Sequence, residues 1–180
     1  MSADPRIERL RRVLLSRIAS YGYTHQGVLG AAASGRETYT YTIGLPAHIG
    51  HPELAVCGVA SQDAIPVIGA VVEVLRSTPD LQGRVTGALA QGMPLWIAPV
   101  PDDVVAAHLG GACWWRHEHH DGQAAAAKQI IIPDPAGLFP WEPGCQAGYG
   151  SMQSLLLAQI TAAEPGFEKP TARGGADARD

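Results

Sequence analysis

The chain has 180 residues, 46% of them apolar and 17% charged, with a formal net charge of −4. That length suits one domain with its own core and excludes two comfortable ones. The apolar content excludes a disordered chain, and the negative balance lacks the clustered Lys/Arg excess of a nucleic-acid binder.

No stretch approaches the roughly twenty uninterrupted apolar residues of a membrane span. The N-terminal "MSADPRIERLRRVLLSRIAS" scatters arginines through an amphipathic pattern and does not read as a secretion signal. Cys57, Cys113 and Cys145 are widely spaced and form no CxxC, so a reducing cytoplasm is expected. Abundant Ala, Gly, Arg and Pro with no Asn suggest a GC-rich bacterial source.

Asp4 before Pro5 starts a helix, because proline's missing N–H costs nothing in a first turn. Ile7, Leu10, Leu14 and Ile18 fall at helical spacing, and Gly22 closes the segment. Arg6, Arg9, Arg12 and Arg17 lie mainly off that stripe and read as a solvated face. "YGYTHQGVLGA" follows as a strand, with "ASGRE" as its turn. From Glu37 to Leu45 the tyrosines and threonines alternate, giving the clearest strand in the chain and an antiparallel hairpin with the one before. "PELAVCGVA" is continuously apolar, as expected of a strand buried on both faces.

A helix is predicted from Asp63, with Ile65, Ile68, Val72 and Leu75 as its stripe and Pro66 in its first turn. "RVTGALAQGMPLWIAPV" reads as a second hairpin turning at Gln91-Gly92. Asp102 can cap a helix carrying Val105, Leu109 and Ala112, weakened or ended by Gly110-Gly111. "RHEHHDG" is then a polar connection to the strand "AKQIIIPD". "PAGLFPWEPGCQAGYG" reads as loop and "SMQSLLLAQITAA" as a closing helix. The prediction is one α+β domain over residues 1–163, with a mainly antiparallel sheet of about four to six strands flanked by helices. A disordered tail is expected from 164 to 180.

"CWWRHEHHD" offers Cys113, His117, His119 and His120, the residue types that hold zinc or another transition metal. Their spacing is awkward. His117 and His119 share a face only in an extended chain, whereas Cys113 and His117 share one only in a helix. Trp114 and Trp115 read as core or lid aromatics. The nucleophile elbow and the phosphate-binding glycine motifs are absent. Cys57 reads as a buried small residue and Cys145 as the more exposed thiol.

A second candidate lies in "TYTYTIGLPAHIGHPEL". His51 and Glu53 sit two apart on a Gly/Pro loop just ahead of a buried strand, and Tyr39 and Tyr41 share a face of the strand before it. A neutral imidazole beside a carboxylate can move a proton, with the Tyr41 hydroxyl as acid or orienter. The structural alternative is equally concrete: His51 bonds turn backbone, and Glu53 pairs with an arginine.

"YTIGL", "GHPEL" and "AKQIIIPDPAGLFPWEPGC", taken in that order, resemble the bacterial domain-of-unknown-function family 4262 over about residues 21–157. The resemblance nominates Tyr41, Thr42, Gly44, His51, Pro52, Glu53, Gln129, Pro133, Asp134, Gly137, Pro140 and Trp141. It implies no reaction, and the HEHH cluster is not part of its pattern. The working expectation is one pocket lined by Tyr41, His51, Glu53, Gln129, Asp134 and Trp141. In it His51, Glu53 and Tyr41 are catalytic, and Tyr39, Gln129, Asp134 and Trp141 bind a small molecule. A non-catalytic interaction module, contacting a protein partner or a second copy, is the alternative. Metal binding through residues 113–121 is a further one.

Overall fold

The computed structural model describes residues 4–30, 38–89, 92–120 and 122–153. Its strands are β1 (Thr24–Val28), β2 (Tyr39–Ile43), β3 (Glu53–Cys57), β4 (Gly83–Val85), β5 (Leu95–Pro99) and β6 (Ala127–Ile131). They form one six-stranded sheet in the order β1-β2-β3-β6-β5-β4. Every neighbouring pair is antiparallel except β3 and β6, which run parallel at the centre. The expected single α+β domain with a mainly antiparallel sheet is therefore present, in mixed form.

The helices are α1 (Pro5–Tyr21), α2 (Leu45–Ile49), α3 (Ser61–Ser77), α4 (Asp102–His108), α5 (Gly110–His119) and α6 (Ala147–Met152). Helices α1, α4 and α5 cover one face, where Leu14, Val105, Ala112 and Trp115 pack on Tyr39, Tyr41 and Ala55. On the other face Ile68, Val72 and Leu75 of α3 pack on Leu54, Val56 and Ile130. Both faces being covered, β2 is buried at all five positions rather than half-buried as its alternation suggests. The threonine side is reconciled to burial by hydrogen bonds: Thr40 Oγ1 donates to Ser61 Oγ at 2.8 Å.

The ends of α1 follow their capping residues. Asp4 accepts from the Arg6 N–H at 2.9 Å, and Gly22, at φ 84°, donates its N–H to the Ile18 carbonyl. Its apolar stripe is only half used, since Leu14 is buried while Ile7, Leu10 and Val13 are 49, 47 and 42% exposed.

Three elements differ from expectation. Helix α3 begins at Ser61, tied to β2 through Thr40, so Pro66 lies inside the helix, where Gln62 loses its carbonyl's usual N–H partner. Gly110-Gly111 do not end a helix but begin one. Pro101 caps α4, the chain breaks at Leu109, and α5 carries "CWWRHEH" as helix rather than as a polar connection. The stretch after Gly44 also folds, as the short α2 between two left-handed glycines, Gly44 and Gly50. The turn "ASGRE", Gln91 and the closing segment beyond Gln153 lie outside the described residues. Among the described residues, no helix is long and apolar enough to cross a membrane.

Candidate functional site

Glu53 opens β3 and is buried. Thr42 Oγ1 donates to its Oε2 at 2.6 Å, the Gly44 N–H reaches Oε1 at 2.8 Å and the Leu45 N–H reaches Oε2 at 3.3 Å. Thr42 Oγ1 in turn accepts the Leu54 N–H at 2.9 Å. The carboxyl thus closes the turn from β2 into α2. Burial pushes its pKa up to about 7, against the pull of those donors.

His51, just ahead of β3, is also buried and faces its own chain: Nδ1 lies 2.7 Å from the Pro52 carbonyl. A carbonyl can only accept, so Nδ1 carries the proton and Nε2 is left with a bare lone pair, buried and without a partner among the described residues. Burial holds the imidazole below its ordinary pKa; Lys128 lowers it further and Asp80 raises it. This nitrogen is the proton acceptor that the expected acid–base pair would need, but Glu53 turns to Thr42 and the α2 turn.

Asp134 lies at the other end. Its Oδ1 accepts from the Ala136 and Leu138 N–H groups and Oδ2 from Gln146, each at 2.9 Å. The Gln146 and Leu138 bonds, in that order, are the largest causes holding its carboxyl below the usual range. Asp134 is thereby the organiser of the 133–146 loop. Along that loop Phe139 stacks on Trp141, and both rings meet Trp96 edge-on.

The parallel register places Glu53 beside Ala127, at the start of β6, while Asp134 follows the end of that strand. The two ends of the five-residue β6 are four steps apart, roughly 13 Å. His51 and Asp134 are thus at opposite ends of the central pair. The six residues expected to line one pocket are strung along that pair, with His51 and Glu53 towards one end and Asp134 towards the other.

Between those ends the pairings define a cross-strand row: Gln26 opposite Tyr41, Tyr41 opposite Ala55, Ala55 beside Gln129, and Gln129 opposite Ala98. Residues paired this way share a face, and neighbouring strands lie about 4.8 Å apart. The Tyr41 hydroxyl accepts the Gly111 N–H at 3.0 Å, and burial pushes its pKa up to about 12, so the phenol stays protonated. Tyr39 stacks on Tyr41 and donates its hydroxyl to the His108 carbonyl at 2.8 Å. Gln129 has no exposed surface, and among the described residues neither Oε1 nor Nε2 has a hydrogen-bond partner. Its row neighbours, Ala55 and Ala98, are small.

Gln26 Oε1 and Trp114 Nε1 are likewise buried and without partners among the described residues. Both residues line a cavity of about 180 Å³ between α1 and the start of α5. The sequence pattern does not single out Gln26, because its place opposite Tyr41 comes from the strand pairing, and Trp114 reads there as a core or lid aromatic.

On α5 the helical geometry does bring Cys113 and His117 to one side, where with Asp102 they line a recess of about 290 Å³. His119 and His120 turn to the Trp115 ring instead. Among the described residues no three His, Cys, Asp or Glu side chains are grouped to hold a metal ion.

A sheet braced at one end by Glu53 and at the other by Asp134, with an unpartnered glutamine between them, is the arrangement to which the motif residues contribute. The family model described as Domain of unknown function (DUF4262) matches residues 17–146, and the chain belongs to that family. No curated protein and no solved structure matches it.

Proposed function

We propose that this protein binds a small molecule on the tyrosine-bearing face of its sheet, with Gln129 as the polar anchor. The observation that supports this reading is the fully buried Gln129 carboxamide with neither donor nor acceptor satisfied. A carboxamide can make up to four hydrogen bonds, and each buried group left unmade costs about 1–3 kcal/mol. A ligand edge that both accepts and donates would remove that cost. Ala55 and Ala98 beside it add little bulk, and Tyr41 and the Trp96/Phe139/Trp141 cluster pack on the same face to either side. Recognition is favoured over acid–base catalysis, since Glu53 and Asp134 spend their oxygens on structural donors; His51 Nε2 is the group left to act as a base. A cytoplasmic setting agrees with Cys113 and Cys145, which form no disulfide.

The test is native mass spectrometry of protein purified without added ligand, beside Gln129→Leu. A small mass retained by the parent and absent from the variant is expected. No retained mass, with no stabilisation of the parent by any small molecule in a thermal-shift screen, overturns the reading.

A second reading rests on Ile7, Leu10 and Val13, exposed at consecutive turns of α1. Such a stripe suits contact with a protein partner or a second copy of the chain. Light scattering of the parent and of Leu10→Ser separates a dimer from a monomer. The metal reading retains Cys113 and His117, and elemental analysis of tag-free protein decides it.

A further inference from the structure

We propose that the outer face of α1 docks an acidic amphipathic helix of a partner protein. This rests on the reading of α1 as a contact surface and names the chemistry of what it contacts. Five of the chain's eleven arginines stand on α1 against the single acid Glu8, so the helix carries +4 and the rest of the chain −8. Arg11 is held by Glu8 at 3.3 Å and lies over the Trp114 ring. Arg6, Arg9, Arg12 and Arg17 are exposed, and among the described residues none of them meets a carboxylate.

Helical spacing sets these side chains in one stripe. Arg9, Val13, Arg6, Arg17 and Leu10 follow one another across about 100° of the helix circumference. Leu10 and Val13 are 47 and 42% exposed, so aliphatic side chains are interleaved with cations. That interleaving selects the partner. A guanidinium fork takes a carboxylate through two hydrogen bonds, and the aliphatic side chains between the forks need an apolar surface. A phosphate backbone would meet the arginines and leave Leu10 and Val13 wet. A lipid surface calls for a broad apolar face sunk below the headgroups, whereas Leu14 is turned inward onto the sheet and the stripe carries no aromatic ring. A second copy paired α1 to α1 about a twofold axis would set arginine against arginine.

An acidic helix with leucines at i, i+3 and i+4 answers both halves of the stripe. The 17 residues of α1 offer it about 25 Å of contact. The −8 carried elsewhere repels the same partner and steers it to this one face, so association is salt-sensitive.

The experiment is a fluorescence-anisotropy titration of the full chain into a labelled peptide of about 18 residues, with leucine at helical i, i+3 and i+4 spacing and glutamate elsewhere. Beside it stand the same peptide with lysine for glutamate, the same with serine for leucine, oligothymidylate, and phosphatidylserine vesicles. The Leu/Glu peptide is expected to bind saturably and at least roughly tenfold more tightly than either altered peptide. Raising salt from about 50 to about 300 mM should weaken it markedly. Arg6→Glu with Arg9→Glu should weaken it roughly tenfold and Leu10→Ser several-fold, with the thermal midpoint unchanged because these side chains are exposed. No binding of the Leu/Glu peptide at about 1 mM, equal binding of an altered peptide, or tighter binding of oligothymidylate or vesicles overturns the proposal. A parent that scatters as a dimer, becomes a monomer as Leu10→Ser and does not take the peptide overturns this partner alone and leaves α1 a contact surface.

Discussion

Thr42 and Glu53, on adjacent strands, share a 2.6 Å hydrogen bond that joins the end of β2 to the start of β3. Thr42 also accepts the Leu54 N–H, so one hydroxyl satisfies two neighbours at a buried position. Thr42→Val keeps the shape and removes the hydroxyl. It leaves a buried amide unmet and takes one donor from a buried carboxyl, at a cost of roughly 2–3 kcal/mol. The expected result is a lower denaturant midpoint with an unchanged slope. A variant as stable as the parent would mean that the Glu53 turn holds without Thr42.

The same carboxyl gives the fold a pH dependence of definite sign. Its pKa rises from an ordinary 4.5 to about 7 on folding, because burial penalises the charge. The folded state therefore binds the proton more tightly than the unfolded one. Stability from this group is complete below pH 4.5, falls as pH rises towards about 7, and is level above that. The total loss is on the order of 3 kcal/mol. Glu53→Gln cannot ionise, so its stability should be flat across that window where the parent's declines. Parallel pH profiles for the two proteins would place the titration elsewhere.

How much of this could be read from the residues alone depends on which physical signal each feature leaves. Strands β2, β3 and β6 were legible because alternation and unbroken apolar runs report burial directly. Helix α2 was not, since Gly44, Pro46 and Gly50 spell a loop unless their left-handed caps are known. Gly110-Gly111 misled in the same way: they read as a helix end, yet Gly111 is small because α5 starts against Gln26 and Tyr41. Gln129 was nominated by resemblance and placed by strand alternation. Its lack of partners was invisible, because hydrogen-bond satisfaction is a property of the packed interior. The separation of His51 from Asp134 depends on β3 and β6 running parallel, and side-chain alternation carries no strand direction.

Adjacent glycines at the start of α5 provide a contrast that the helix alone would not predict. A methyl group at Gly110 meets nothing within 4 Å, whereas one at Gly111 meets Gln26, Ile43 and Tyr41. Gly110→Ala should be neutral or up to about 1 kcal/mol stabilising, through helix propensity. Gly111→Ala should cost about 1–3 kcal/mol by overpacking. Thermal melts of the two variants check this, and equal midpoints would show that α5 slides away from the sheet at little cost.

Removing the Gln129 carboxamide distinguishes a structural residue from a binding one without knowledge of any ligand. In ligand-free protein, Gln129→Leu deletes two unmet hydrogen-bonding atoms and keeps most of the volume. It should therefore be as stable as the parent or about 1 kcal/mol more stable. A partnered structural glutamine would behave oppositely and lose stability. Urea unfolding of both proteins after exhaustive dialysis reads the difference, and a clear destabilisation would indicate that the amide has partners in the folded chain.

Asp134 should control local order more than global stability. Its two oxygens collect three backbone N–H groups from Ala136, Leu138 and Gln146, and its own N–H reaches the Leu138 carbonyl at 2.8 Å. Since those bonds favour the charged form, the carboxyl stays ionised below its ordinary range. The loop's contribution is then present above the ordinary carboxylate pKa and is lost only as pH falls through the lowered value. Asp134→Asn retains one acceptor oxygen and adds donors that face N–H groups, so the 133–146 segment should exchange its amide hydrogens faster. Strands β3 and β6, held by their own ladder, should keep their protection. Hydrogen exchange read by mass spectrometry resolves the two regions. Faster exchange in both would show that the loop and the sheet open as one unit, with Asp134 bracing the central strands as well as its own turn.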